Sequence, residues 1–115
     1  MAFVESNGGA MHIIISWDIK NCEKDEWNEL NEKLRECIDD YSWVKPLTTF
    51  YIIKLNSEGE RKTIRESIVN VCKANKGKLN VVISPVICEG TYSGWLPHSM
   101  WDLIKERTNE DDSNE

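Results

Sequence analysis

The chain has 115 residues, 40% of them hydrophobic and 30% charged, with a formal net charge of −6. Such a length makes one domain that buries roughly 65% of the surface its unfolded chain exposes, so neither a metal nor a disulfide is required for a core. No apolar run approaches the ~20 residues that span a bilayer, which excludes a helical membrane protein.

The four cysteines, Cys22, Cys37, Cys72 and Cys88, form no CxxC pair and no Cys/His cluster. Each lies within or beside an apolar pattern and no signal peptide precedes them, so they read as reduced, buried thiols of a cytoplasmic protein. The charge is unevenly spread. Without Glu5 and the tail acids Glu110, Asp111, Asp112 and Glu115, 15 acidic and 14 basic residues remain. Residues 18–40 carry nine acids against four bases, and residues 41–79 carry eight bases against three acids. A dipolar chain of this kind either offers a basic face to a phosphate backbone, pairs its halves between subunits, or simply has two solvated helix faces of opposite sign.

Residues 1–10, with Ser6-Asn7-Gly8-Gly9-Ala10, show no periodicity and read as a flexible leader, with Met11 a natural start. His12 to Ile19 is the first strand. Its run Ile13-Ile14-Ile15 lacks helical spacing and reads as buried on both faces. Asp18 stands at the C-terminal end of that strand, where α/β sheets place their chemistry, although an Asp there is also a common turn former or cap. From Lys24 to Asp40, Trp27, Leu30, Leu34, Cys37 and Ile38 recur at three- and four-residue steps, the mark of an amphipathic helix.

Two extended segments follow, residues 41–47 and 48–55, rich in aromatic and β-branched residues. Pro46 has no amide to donate, so it should end or bulge the first of them at a sheet edge. Ser57-Glu58-Gly59-Glu60 has the form of a capping box and opens a second helix, with Ile64, Ile68, Val71 and Cys72 on its apolar face and Gly77 at its end. Leu79 to Ser84 is the fourth strand, stopped by Pro85. Val86 to Gly90 reads as a short extension and Thr91 to Gly94 as a turn. Pro97 suits the first turn of a last helix anchored by Trp101 and Ile104. The acidic end of the chain reads as a disordered tail from residue 108.

Strands and helices in the order βαββαβ, over residues 12–107, predict an α+β protein of ferredoxin-like topology: a four-stranded antiparallel sheet with two helices on one face, plus a C-terminal helix. At the end of its first strand, Ser16-Trp17-Asp18-Ile19 resembles the Tyr-Asp motif of the second CRISPR-associated protein and its relatives, the VapD toxins among them. Trp43, Pro46-Leu47 and Thr49-Phe50 carry a closer similarity to small bacterial proteins described as SinR-like, of the same superfamily. The resemblance covers residues 12–104. It implies a homodimer in which Asp18 of each subunit faces its mate and shares a divalent metal such as Mg or Mn.

Two functional expectations follow. One is a non-catalytic interaction or nucleic-acid-associated module of a bacterial or phage defence or toxin–antitoxin system, whose acidic charge suits a basic protein partner. The other is a metal-dependent endoribonuclease like VapD, with Asp18 as catalytic residue and metal ligand. Ser16 and Asn21 would then be polar helpers, and Lys45, Lys54, Arg61, Lys62 and Arg65 the contacts to RNA phosphates. Trp43, Trp95 and Trp101 are candidates for a dimer surface, and Trp17 and Trp27 for the core. His98 reads as a cap or surface residue, and His12 has no evident partner in the sequence.

Overall fold

Three isoleucines in succession leave their part of a strand with no polar face, and the chain answers by covering that run on both sides. The computed structural model describes residues 2–8, 10–88 and 90–108. Its elements are β1 (Ala2–Gly8), β2 (His12–Ile19), α1 (Lys24–Glu36), β3 (Ser42–Leu47), β4 (Phe50–Lys54), α2 (Glu58–Ala74), β5 (Leu79–Ile83), β6 (Gly90–Leu96) and α3 (His98–Thr108). The main sheet has the order β3-β4-β2-β5, with every neighbouring pair antiparallel. This is the ferredoxin-like arrangement, and the isoleucine-rich β2 is an interior strand of it.

On one face, Ile13, Ile15 and Trp17 of β2 meet Tyr51 and Ile53 of β4, Ile64 and Ile68 of α2, and Leu34 and Ile38 from α1 and its exit turn. Burial of each such aliphatic side chain contributes about 1.5–3 kcal/mol. Across the sheet, Val44 of β3 and Ile52 of β4 pack with Trp101 and Ile104 of α3, with Ile14 and Phe50 against them. Helix α3 therefore covers the β3–β4 half of the second face, and the run Ile13-Ile14-Ile15 is enclosed from both sides.

Local sequence signals account for several details. The register of β3 against β4 shifts between Val44 and Leu47, the bulge expected at Pro46 on this edge strand. At the start of α2 the Glu60 carboxylate accepts from the amides of Asn56 and Ser57. After α2, Gly77 adopts φ 79°, a left-handed conformation that favours glycine. Ile87 extends the β5 side by a bridge to His12.

Other expectations need correction. Ala2–Gly8 is a strand, not an unstructured leader, and it pairs with β6 from Ala2↔Leu96 to Gly8↔Gly90. Thr91 to Gly94 likewise belongs to β6 and is not a turn. Both misreadings have one cause: main-chain pairing between segments far apart in sequence leaves no hydrophobic period in either. Helix α1 ends at Glu36, and Cys37 to Asp40 form a turn. Thr108 is buried at the end of α3, where its carbonyl accepts from the Ala10 amide, and residues 109–115 of the expected tail lie outside the described residues. No helix among the described residues is long and apolar enough to cross a membrane.

Candidate functional site

Alternation along β2 divides its residues sharply. Ile13, Ile15 and Trp17 enter the helix-side core, whereas Ile14, Ser16 and Asp18 point to the other face. Ser16 lies opposite Val82, and Asp18 opposite Asn80. Directly opposed residues share a face, so these four side chains form one patch on the half of the sheet that α3 leaves open. Val82, at 72% exposure, is its apolar centre, and Asp18 is exposed beside it.

Among the described residues, no three His, Cys, Asp or Glu side chains are placed together to hold an ion. Asn21, expected to assist Asp18, is occupied elsewhere. Its backbone is left-handed at φ 57°, and its side-chain amide donates to the Gly77 carbonyl at 2.8 Å. It ties the exit of β2 to the turn before β5.

The five cations expected to contact phosphate do not converge. Lys45 lies on the β3 edge with its ammonium 5.7 Å from the centre of the Tyr51 ring. Lys54 lines a polar cavity of about 320 Å³ with Asp40, Tyr41, Glu60, Glu106 and Arg107. Arg61 and Arg65 stand together on α2 above β5, at the opposite edge of the sheet from Lys45. Lys62, next to them in sequence, is exposed. The five therefore form no single cluster, because α2–β5 and β3 flank opposite ends of the strand order.

Arg61 and Arg65 belong to a groove of about 560 Å³ between α2 and the edge strand β5. Val69 and Cys72 of α2 and Val81 and Ile83 of β5 supply an apolar lining. The Arg61 Nε–H donates to the Ser84 carbonyl at 2.9 Å, which fixes the guanidinium at the C-terminal end of β5.

The tryptophans separate as follows. Trp17 is core, as expected: it stacks on Tyr51 with ring centres 4.6 Å apart and donates from Nε1 to Asn31 Oδ1 at 3.0 Å. Trp43 meets the same Tyr51 edge-on at 5.3 Å, with Arg35 over its own ring. Burial, first of all, pushes the Tyr51 hydroxyl above its usual range. Trp101 is only 6% exposed, packed between α3 and the sheet, and so is not available to a dimer surface. Trp95 is 60% exposed on β6. Trp27, expected in the core, is 37% exposed at the N-terminal end of the α1 stripe, whose buried members are Leu30 and Leu34. Of the cysteines, all are free, Cys88 is exposed and the other three are half-buried, which corrects the expectation for Cys88.

Sequence reasoning missed one polar pair. His12 is fully buried with Nδ1 2.6 Å from the Ala10 carbonyl and Nε2 2.6 Å from the Tyr92 hydroxyl. A carbonyl only accepts, so Nδ1 carries the proton and Nε2 accepts from Tyr92. Burial lowers the His12 pKa and pushes that of Tyr92 up to about 12. The tyrosine comes from β6, a strand that no periodic pattern announces. His98 is exposed at the start of α3.

Fold and site together define an α+β protein of ferredoxin-like topology with an open sheet patch around Asp18 and a cationic groove along β5. Compared with known protein families and with curated sequences, the chain matches none.

Proposed function

We propose that the protein is a non-catalytic interaction module of a bacterial or phage defence or toxin–antitoxin system, acting as a homodimer through the open half of its sheet. The observation that carries this reading is the position of Val82, highly exposed at the centre of a patch formed with Ser16, Asp18 and Asn80. An exposed apolar side chain on an uncovered sheet face marks an interaction surface, and two-fold self-association is the commonest way to cover one. The likeness of the β2 end and of Trp43, Pro46-Leu47 and Thr49-Phe50 to the CRISPR-associated, VapD and SinR-like proteins supports the same class. Sedimentation tests it: wild type should be a dimer and Val82→Glu a monomer with unchanged circular dichroism. A wild type that is monomeric at every concentration reached overturns the homodimer.

A second reading, a metal-dependent endoribonuclease resembling VapD, is favoured by the exposure of Asp18 on that same patch. It requires face-to-face packing. A dimer through β5 edges would keep the two copies of β2 about 14 Å apart, three strand spacings of ~4.8 Å, too far for two carboxylates to share one ion. Facing carboxylates, by contrast, must take up a proton or a cation. RNA cleavage that needs Mg or Mn and is lost in Asp18→Asn would sustain this reading, and intact RNA under both metals would end it.

A further inference from the structure

The outer edge of β5 has a definite hydrogen-bonding pattern. The Ser84 amide donates to the Ile14 carbonyl, and the Lys78 carbonyl accepts from the Lys20 amide. By alternation Asn80 and Val82 also turn their main-chain groups to β2, so Leu79, Val81 and Ile83 turn theirs outward. No strand among the described residues pairs with that edge. Edge strands are usually blunted by a lysine, a proline or a short length. Within β5 there is no lysine or proline, and Lys78 and Pro85 stand only at its two ends.

Beside this row of open main-chain groups lies the α2–β5 groove. Its lining includes Arg61 and Arg65 and no carboxylate. The Nε–H of Arg61 is held by Ser84, while its terminal N–H groups, and the whole guanidinium of Arg65, have no partner among the described residues. Side chains on the helix side of an added strand would pass under these two cations and over Val69 and Cys72. A second copy of β5 fits poorly, because two-fold pairing would set one cationic α2 edge beside another. RNA could meet the arginines but has no peptide groups with which to continue the sheet.

We infer that the β5 edge is a strand-addition site for an extended acidic peptide, whose main chain pairs with Leu79, Val81 and Ile83 and whose carboxylates meet Arg61 and Arg65. The inference names a partner for the interaction module and rests on that reading, but it uses a surface distinct from the Asp18 patch. Main-chain pairing supplies affinity in such complexes, and alternate side chains supply selectivity.

The test titrates the isotope-labelled full chain with two nine-residue peptides, in which glutamate or lysine alternates with threonine, and with a uridine nonamer, at low and high salt. The glutamate peptide should shift the amide resonances of Leu79, Val81 and Ile83, and its binding should weaken with salt. The lysine peptide should bind about tenfold more weakly or not at all, because attraction becomes repulsion at both Arg61 and Arg65. Arg65→Glu, on an exposed helix position, leaves Arg61 opposed by one carboxylate and should abolish that preference without altering the fold. Val81→Pro removes an outward amide and spares the β2 ladder, so it should abolish binding by the glutamate peptide. Equal affinity for both peptides, shifts away from β5, or binding of the uridine nonamer alone would overturn the inference. A monomeric protein that takes the glutamate peptide at β5 would overturn the homodimer and leave the site standing; a dimer that ignores the peptide would do the reverse.

Discussion

The Nε2 atom of His12, at the start of β2, accepts the hydroxyl proton of Tyr92, on β6, across 2.6 Å. This bond is a polar link between the four-stranded sheet and the β1–β6 ribbon, and His12 is wholly buried where it forms. Tyr92→Phe would remove the donor and leave Nε2 without its partner. An unsatisfied buried acceptor costs about 1–3 kcal/mol, so the variant should unfold at a lower urea midpoint with the same slope.

The same pair sets a pH dependence with two limits. Burial holds the folded His12 pKa below its ordinary 6.5, so the unfolded chain takes up the proton first. Stability from neutral His12 is therefore complete above pH 6.5 and is lost as pH falls below it toward the folded value. At the other limit the folded Tyr92 keeps its proton up to about 12, against an ordinary 10. Its contribution is full below pH 10 and declines as pH rises from 10 toward 12. Urea denaturation across pH should show the acid decline shrink in His12→Gln and part of the alkaline decline vanish in Tyr92→Phe.

Trp17 and Trp27 should respond very differently to truncation. Trp17→Ala removes a ring stacked on Tyr51 together with its bond to Asn31, and should cost about 3–5 kcal/mol. Trp27→Ala, at the more open N-terminal end of the α1 stripe, should cost less, about 1–2 kcal/mol. Equal losses in chemical denaturation would contradict the assignment of Trp17 to the core.

Glu60 closes the first turn of α2 by accepting from the amides of Asn56 and Ser57. Glu60→Ala should destabilise the protein by about 1 kcal/mol through lost capping, and Glu60→Gln by less, since the amide oxygen still accepts. Thermal melts of the two variants beside wild type decide it.

Deleting residues 1–9 should be costly, against the reading of this segment as a leader. It strips β6 of its antiparallel partner and exposes the edge that β1 covers. The shortened chain should show faster amide exchange and faster proteolysis in β6 while the β2–β4 core stays protected.

What the residues determined by themselves was local and periodic. The isoleucine run made β2 an interior strand, Ser57 and Glu60 opened α2, Pro46 bulged the β3 edge, and the βαββαβ order sufficed for the main sheet. Short-range chemistry and a period of two or three to four residues carry that information along the chain. Asp18 was legible as the polar end of β2, but its neighbours Asn80 and Val82 come from a strand more than sixty residues away.

The tertiary structure alone decided the rest. Ala2–Gly8 and Gly90–Leu96 pair through main-chain groups that every residue carries, so no residue type announced them. His12 acquired its partner only because β6 lies over the start of β2. The five cations chosen for a phosphate track were dispersed because α2 and β3 flank opposite edges of the sheet, leaving Arg61 and Arg65 together over β5. Trp101 is the buried anchor that its helical spacing announced, and so not a dimer contact, whereas Trp27 is more open than expected: helical spacing says that a face is apolar, and only packing says how far the sheet covers it.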